Sequence, residues 1–374
     1  MKKIVVLFVF ILFGELTATA QLFRKIHSLN DSSEHNLAFR IESTSFIKNN
    51  EYFNDFSKGY TGIGFFIKPS IEYYFTKNTK AIAGVYLLKY SGIDDFTQAI
   101  PLFSIQHKLN KNLEMIFGSL YGSLNHQLEE SLYCFDRYYQ DNVEYGLQFL
   151  YNSAKIKSDL WLNWEEFIFT NSPYQEELVF GNTTNITVYQ SKKIQVNLPI
   201  QLLIAHKGGQ IDASPDPVSS IVNGMSGLKI NYQLGSFKTL SFEPLFFIYE
   251  GMTLPESGIN SQSFKSGNAI YLKGHYNSKN LHAMLGYWKA NKFIAPRGEY
   301  LFQSVSDWNP DFSQEERELI TAKLEFNKQI SNSINLVLKA DAYYDMQNQD
   351  FAHALSLYLI IDESFFISKI NARK

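Results

Sequence analysis

Residues 194–205 read Ile-Gln-Val-Asn-Leu-Pro-Ile-Gln-Leu-Leu-Ile-Ala. Ile194, Val196, Leu198, Ile200, Leu202 and Ile204 occupy alternate positions, with Gln195, Asn197, Pro199, Gln201, Leu203 and Ala205 between them. Wound as a helix, these aliphatic side chains would scatter round the axis. Extended, with a period of two, they make one face of a strand. Residues 334–344 repeat the pattern: Ile334, Leu336, Leu338, Ala340, Ala342 and Tyr344 oppose Asn335, Val337, Lys339, Asp341 and Tyr343. Residues 63–75 set Ile63, Phe65, Ile67, Pro69, Ile71, Tyr73 and Phe75 against Gly64, Phe66, Lys68, Ser70, Glu72 and Tyr74.

Extended along the chain, this alternation predicts strands at 37–48, 60–75, 81–91, 98–108, 113–122, 142–151, 156–168, 177–190, 194–207, 220–233, 239–250, 268–277, 281–289, 317–328, 334–345 and 353–362, sixteen in all, within a range of 14–18. Short polar turns at 76–80, 109–112, 152–155, 191–193, 234–238, 278–280 and 329–333 alternate with longer loops at 49–59, 92–97, 123–141, 170–176, 208–219, 251–267, 290–316 and 346–352. Such a rhythm describes an up-and-down antiparallel barrel with tight turns at one rim and long loops at the other. An even strand number returns both ends to the same rim.

Two solvents fit a period-two chain. A sandwich buries its apolar face; a transmembrane barrel turns that face to lipid and its polar face to a wet lumen. The strands run about 10–14 residues, against about 5–6 in sandwiches and about 9–11 for a tilted spanning strand. Charges lie mid-strand at Asp159, Lys229, Glu243, Lys273, Lys323, Glu325, Lys339 and Asp341, and aromatic residues crowd strand ends at Tyr73, Tyr74, Phe75, Tyr189, Tyr249, Tyr287, Trp288, Tyr343 and Tyr344. Girdles at two membrane interfaces account for such placing, and for 31 Phe and 23 Tyr among 374 residues.

The N-terminus gives an address. Met1-Lys2-Lys3, the apolar run 4–13 and Ala18-Thr19-Ala20 form a secretory signal peptide, with cleavage expected after Ala20. Residues 21–35 then form a periplasmic N-terminal segment and 36–370 a single all-β outer-membrane barrel. The net charge of −3 leaves no basic footprint for nucleic acid. Cys134 stands alone, so no internal disulfide forms.

Signal peptide, alternating strands and turn–loop rhythm together resemble Gram-negative outer-membrane barrels of the sixteen-stranded, porin-like type, over residues 36–362. The segments beginning at Gly118 and running through Trp161-Leu-Asn-Trp164-Glu-Glu are similar to uncharacterised members of that class. The resemblance implies residence in outer-membrane lipid, insertion by the barrel assembly machinery, a homo-trimer and passage of small polar solutes. It also implies that the third long loop folds into the lumen, where His126, Glu129, Glu130, Asp136 and Arg137 set a constriction. Such barrels commonly end in an aromatic residue; here Phe366 takes that place, with a short tail beyond it.

The lumen lining is expected to include Lys157, Asp159, Trp161, Asn163 and Glu165, which share one face of their strand, with Glu243, Lys339 and Asp341. Glu165 and Glu166 are adjacent in a strand and point apart, which excludes a paired-carboxylate acid and base. The eight histidines show no His-x-x-x-His or His-x-His spacing, no Gly-x-Ser-x-Gly elbow occurs, and the Gly208-Gly209 pair lacks the lysine and helix of a phosphate loop. The expectation is a channel with no catalytic residues, metal or cofactor, not an enzyme. A barrel-borne enzyme or surface-polymer assembly factor, and a secreted all-β binding domain, stand as alternatives.

Overall fold

The computed structural model describes Phe23, Ile26, His27, Leu29, residues 34–253 and residues 264–370. The signal peptide, its cleavage site and residues 371–374 lie outside them. Seventeen strand segments follow one another: β1 Asn36–Glu51, β2 Thr61–Thr76, β3 Thr79–Tyr90, β4 Gln98–Asn110, β5 Leu113–Ser119, β6 Tyr145–Asn152, β7 Ile156–Glu166, β8 Glu177–Gln190, β9 Ile194–Lys207, β10 Ser219–Gly227, β11 Lys229–Gly235, β12 Lys238–Thr253, β13 Ser266–Asn277, β14 Leu281–Asn291, β15 Glu316–Ser331, β16 Ile334–Asp345 and β17 Phe351–Lys369. β10 and β11 are halves of one stave, because both pair with β9 and β12 on either side of Leu228. The barrel therefore has sixteen staves, each antiparallel to its neighbours. It closes where β1 pairs with β17, from Asn36 opposite Lys369 to Glu51 opposite His353. The start of β1, the end of β17 and the short turns share one rim, and the long loops share the other.

The faces divide by parity. On β2, Ile63, Phe65, Ile71 and Phe75 are exposed on the outer wall, while Phe66, Ser70 and Glu72 are buried inside. A wall this apolar on its outside is stable against hydrocarbon and costly against water. The closing strand runs further than its alternation suggests, to Lys369, because β1 reaches down to Asn36 and supplies a partner. Phe365 and Phe366 thus lie within the last strand.

The interior departs from a simple wet lumen. In its long-loop half many inward positions are aromatic or aliphatic, with Lys48, Asn223, Arg317 and Asp345 buried among them. Trp288, Phe247, Tyr271 and Tyr343 from the wall pack with Phe293, Ile294, Leu301 and Phe302 from loop 292–315. Phe46, Phe66, Tyr86 and Tyr358 pack with Tyr138 and Tyr139 from loop 120–144. Both loops turn inward because an apolar interior surface left to water would cost about 25 cal/mol per Å². Of the segment 21–35 the structure describes Phe23, Ile26, His27, Leu29, Glu34 and His35. Phe23 lies inside, edge-to-face with Phe135, Tyr138 and Tyr358 at 5.1–5.3 Å. The His27 carbonyl accepts from Lys80 Nζ and the Tyr121 hydroxyl.

Candidate functional site

Every acidic residue singled out on loop 123–141 meets a lysine of the wall. Glu129 takes Lys273 at 2.8 and 2.9 Å, Glu130 pairs with Lys323 and Asp136 with Lys48. Arg137 pairs within the loop with Asp141 and lies over the Tyr133 ring. The second inward loop locks onto the first: Cys134 N donates to Arg297 O at 2.7 Å and Glu299 N to Glu130 O at 2.9 Å. Arg297 in turn pairs with Glu165 of β7. Burial, with Glu130 and Asp136 near, pushes the Glu299 carboxyl up to about 7.

His126 is fully buried where loop and wall meet. Its ring stacks on Trp161 at 3.6 Å and 9°. Gly181 makes room behind, since a Cβ there would lie 2.1 Å from the Trp161 ring. Nδ1 bonds Asp159 at 2.8 Å and Nε2 bonds Glu144 at 2.9 Å. Burial alone would lower the pKa of this imidazole, but the carboxylates of Glu144 and Asp159 override it and push it up to about 9. With both nitrogens donating, His126 has no lone pair for a general base and instead clamps the loop to the wall. Gln148 donates to Asp159, while Ser123 N and the Tyr133 hydroxyl donate to Glu144.

The other lining candidates face inward too. Asn163 accepts from Tyr145 N, Glu243 pairs with Lys273 and Lys229, and Lys339 lies 3.5 Å from Asp341. Lys157 is exposed near the short-turn rim. The structure thus gathers Asp159, Trp161 and His126 into one cluster and leaves Lys157 apart. Among the described residues, His27, Glu42 and Asp362 bring potential ligand atoms within 4.8 Å. Arg40 already holds Asp362 at 2.7 Å there and supplies the positive charge.

A second polar grouping lies on the outer wall at the long-loop rim. Even-numbered residues of β9 face outward, and the parity that places Ile200, Leu202 and Ile204 on lipid continues to His206. Opposite it in register, on β10, is Ser220. His206 Nδ1 lies 2.8 Å from Ser220 Oγ, and Nε2 lies 3.1 Å from the carbonyl oxygen of Gly208. A carbonyl only accepts, so Nε2 carries the proton and Nδ1 presents its lone pair to the serine. Gly208 adopts φ +132°, which disfavours a side chain, and a Cβ there would meet Val218 at 2.7 Å. Leu178 of β8 sits opposite His206 on the other side. Sequence reasoning ends one strand at 207 and starts the next at 220, and gives neither His206 nor Ser220 a role. Extending the 194–205 parity by two residues was the available signal for the histidine.

Comparison with solved structures shows the same fold at low identity. The outer membrane protein OprD of Pseudomonas aeruginosa superposes with a TM-score of 0.51 at 8% identity, over 88% of this chain and 94% of that one. OpdL of Pseudomonas aeruginosa gives 0.50 at 9%, over 89% and 99%. No curated protein matches the chain. A family model described as lipid A 3'-O-deacylase-type matches residues 29–370. That match corrects the expectation of a non-enzyme. Motif reading looked for local signatures, and the family match rests on the chain as a whole. Matched over nearly its whole length, this outer-membrane β-barrel belongs to the lipid A 3'-O-deacylase-type family.

Proposed function

We propose that this chain is an outer-membrane ester hydrolase that removes an O-linked acyl chain from a glycolipid of the lipid A kind, working on the outer wall beside the long-loop rim. The observation that carries this reading is the outward-facing His206, whose proton is held on Nε2 by Gly208 O and whose Nδ1 is presented as a base. An imidazole nitrogen lone pair presented in this way is arranged as a general base for ester hydrolysis. Its site suits the substrate: acyl chains lie against the wall below the rim, and sugar headgroups lie level with the loops. Family membership supports the same chemistry. The filled long-loop half of the interior favours the outer surface as the working face.

Detergent-purified protein incubated with a hexa-acylated lipid A is expected to release free fatty acid and a glycolipid lighter by one acyl chain, both read by mass spectrometry. Unchanged glycolipid from a preparation whose unheated gel mobility shows a folded barrel would contradict the proposal.

A second reading, passage of small polar solutes, has one observation in its favour. Below the aromatic packing the lumen carries Glu243, Lys273, Lys323, Glu325, Lys339 and Asp341, and Glu129 and Glu130 reach toward those lysines. If ions cross there, Glu129→Gln with Glu130→Gln will move the reversal potential of planar bilayers toward anion preference. An absence of conductance above the lipid background, or an unmoved reversal potential, would exclude this constriction.

A further inference from the structure

The short-turn rim carries charge of one sign along part of its circuit. We propose that an arc formed by Lys155, Lys192, Lys193, Lys238 and Lys279 binds the headgroups of anionic phospholipid in the leaflet at the short-turn side. Nothing in this binding depends on the ester chemistry at His206. Four features of the rim support it.

The first is composition. Lys155 lies in the turn 153–155, Lys192 and Lys193 in 191–193, Lys279 in 278–280, and Lys238 opens β12 after the turn 236–237. These four turns are neighbours on the rim, because β7 pairs with β8, β9 with β11 and β12 with β13. The hairpin ends 150–158, 184–197, 230–241 and 276–281 contain no aspartate or glutamate. All five lysines are exposed, and among the described residues none of them pairs with a carboxylate. The opposite rim is unlike this one: loops 91–97 and 208–218 carry Asp94, Asp95, Asp212 and Asp216 and no lysine or arginine.

The second is proximity. Neighbouring strands lie about 4.8 Å apart, so successive hairpin ends stand ~10 Å apart. That is about the Debye length at physiological salt, so their fields overlap. Anions lying alongside relieve the repulsion between them. The third is fixation. Thr187 N donates to Lys155 O at 2.7 Å and Gln233 N to Lys193 O at 2.8 Å, which ties the turns into the wall.

The fourth is direction. Lys238 shares the outward parity of Leu240 and Phe242. Tyr189, Tyr232 and Phe237 are exposed on the same arc, where rings mark the membrane interface. A lysine beside them lays its methylenes on the wall and brings its ammonium to the phosphate level. Lysines so placed attract anionic headgroups. A soluble polyanion would meet the lysines alone. A phospholipid uses both features, acyl chains against the rings and phosphate against the ammonium groups.

Native mass spectrometry of the detergent-purified, folded barrel tests this. Phosphatidylglycerol and phosphatidylethanolamine of matched acyl chains are added in equal amounts. The wild type is expected to retain phosphatidylglycerol over phosphatidylethanolamine by at least ~10-fold. With Lys155→Gln, Lys192→Gln, Lys193→Gln, Lys238→Gln and Lys279→Gln combined, retention of the two lipids should come within about twofold, with the heat-dependent gel shift of the folded barrel kept. Arginine at all five positions should keep the preference, and Lys58→Gln with Lys292→Gln, at the long-loop rim, should leave it unchanged. Equal retention by the wild type, or a preference that survives the glutamine variant, would overturn the proposal. So would a wild type that shows no lipid preference yet binds isolated peptidoglycan sacculi through the same lysines, since the partner would then be a wall polymer. The wild-type comparison needs no variant to fold.

Discussion

His206→Gln is expected to lower fatty-acid release from lipid A by about 10²–10⁴-fold, the range that a positioned general base contributes. Glutamine keeps the length and one donor, so its side-chain nitrogen can still reach the Gly208 carbonyl. It removes the one feature that a general base needs, a ring-nitrogen lone pair able to take and return a proton. The loss should lie in the maximal rate, with the substrate concentration for half-saturation little changed, as expected of a base that acts on the ester alone. Release rates at saturating lipid in mixed micelles measure this. A variant within threefold of the wild type would remove His206 from the reaction.

Asp136→Ala is expected to destabilise the folded barrel by about 3–5 kcal/mol, the cost of breaking a buried ion pair from one side. Lys48, on β1, is 5% exposed and its ammonium meets the Asp136 carboxylate inside the lumen. Tyr60 also donates to Asp136 and is 2.7 Å from the Tyr139 hydroxyl, so the aspartate ties β1, the chain entering β2 and the helical turn Arg137–Gln140 together. Truncation leaves a buried cation without its counter-charge and frees the turn carrying Tyr138 and Tyr139. Removing both charges, in Lys48→Met with Asp136→Leu, should recover most of the loss, since paired apolar replacements of a buried ion pair are often neutral or better. Urea unfolding in detergent, followed by tryptophan fluorescence, reads both. A single variant within about 1 kcal/mol of the wild type would show that the pair carries little of the loop's anchoring.

The wall was legible in sequence because lipid imposes a strict rule. A residue such as Ile200 or Phe65 must recur at every second place, and a run such as 194–205 obeys no other period. The staves and their turns follow from that rule almost residue by residue. The interior was less legible. Trp288 is buried by Phe293 and Phe302, which arrive from a loop whose inward path leaves no periodic trace. Glu129 meets Lys273 across 144 positions, and His126 meets Asp159 only after loop 120–144 has folded back. The acidic residues of that loop could be picked out as inward-facing by resemblance, but their lysine partners could not. On the outer wall, His206 continues a parity visible in the sequence. Ser220 does not, because its register depends on how loop 208–218 returns the chain. The family match overturns the expectation of a non-enzyme, and the proposed pair, spanning 14 positions and two strands, lies beyond the reach of any short motif.

The decisive comparison sets two variants beside the wild type in one lipid A assay: His206→Gln on the outer wall, and Glu129→Gln with Glu130→Gln inside the lumen. An enzyme working on its lipid-facing wall loses at least ~100-fold of its fatty-acid release in the first and keeps it within a few-fold in the second. Equal rates for His206→Gln and wild type, or a loss confined to the lumen variant, would place the chemistry elsewhere and contradict the assignment of the outer wall.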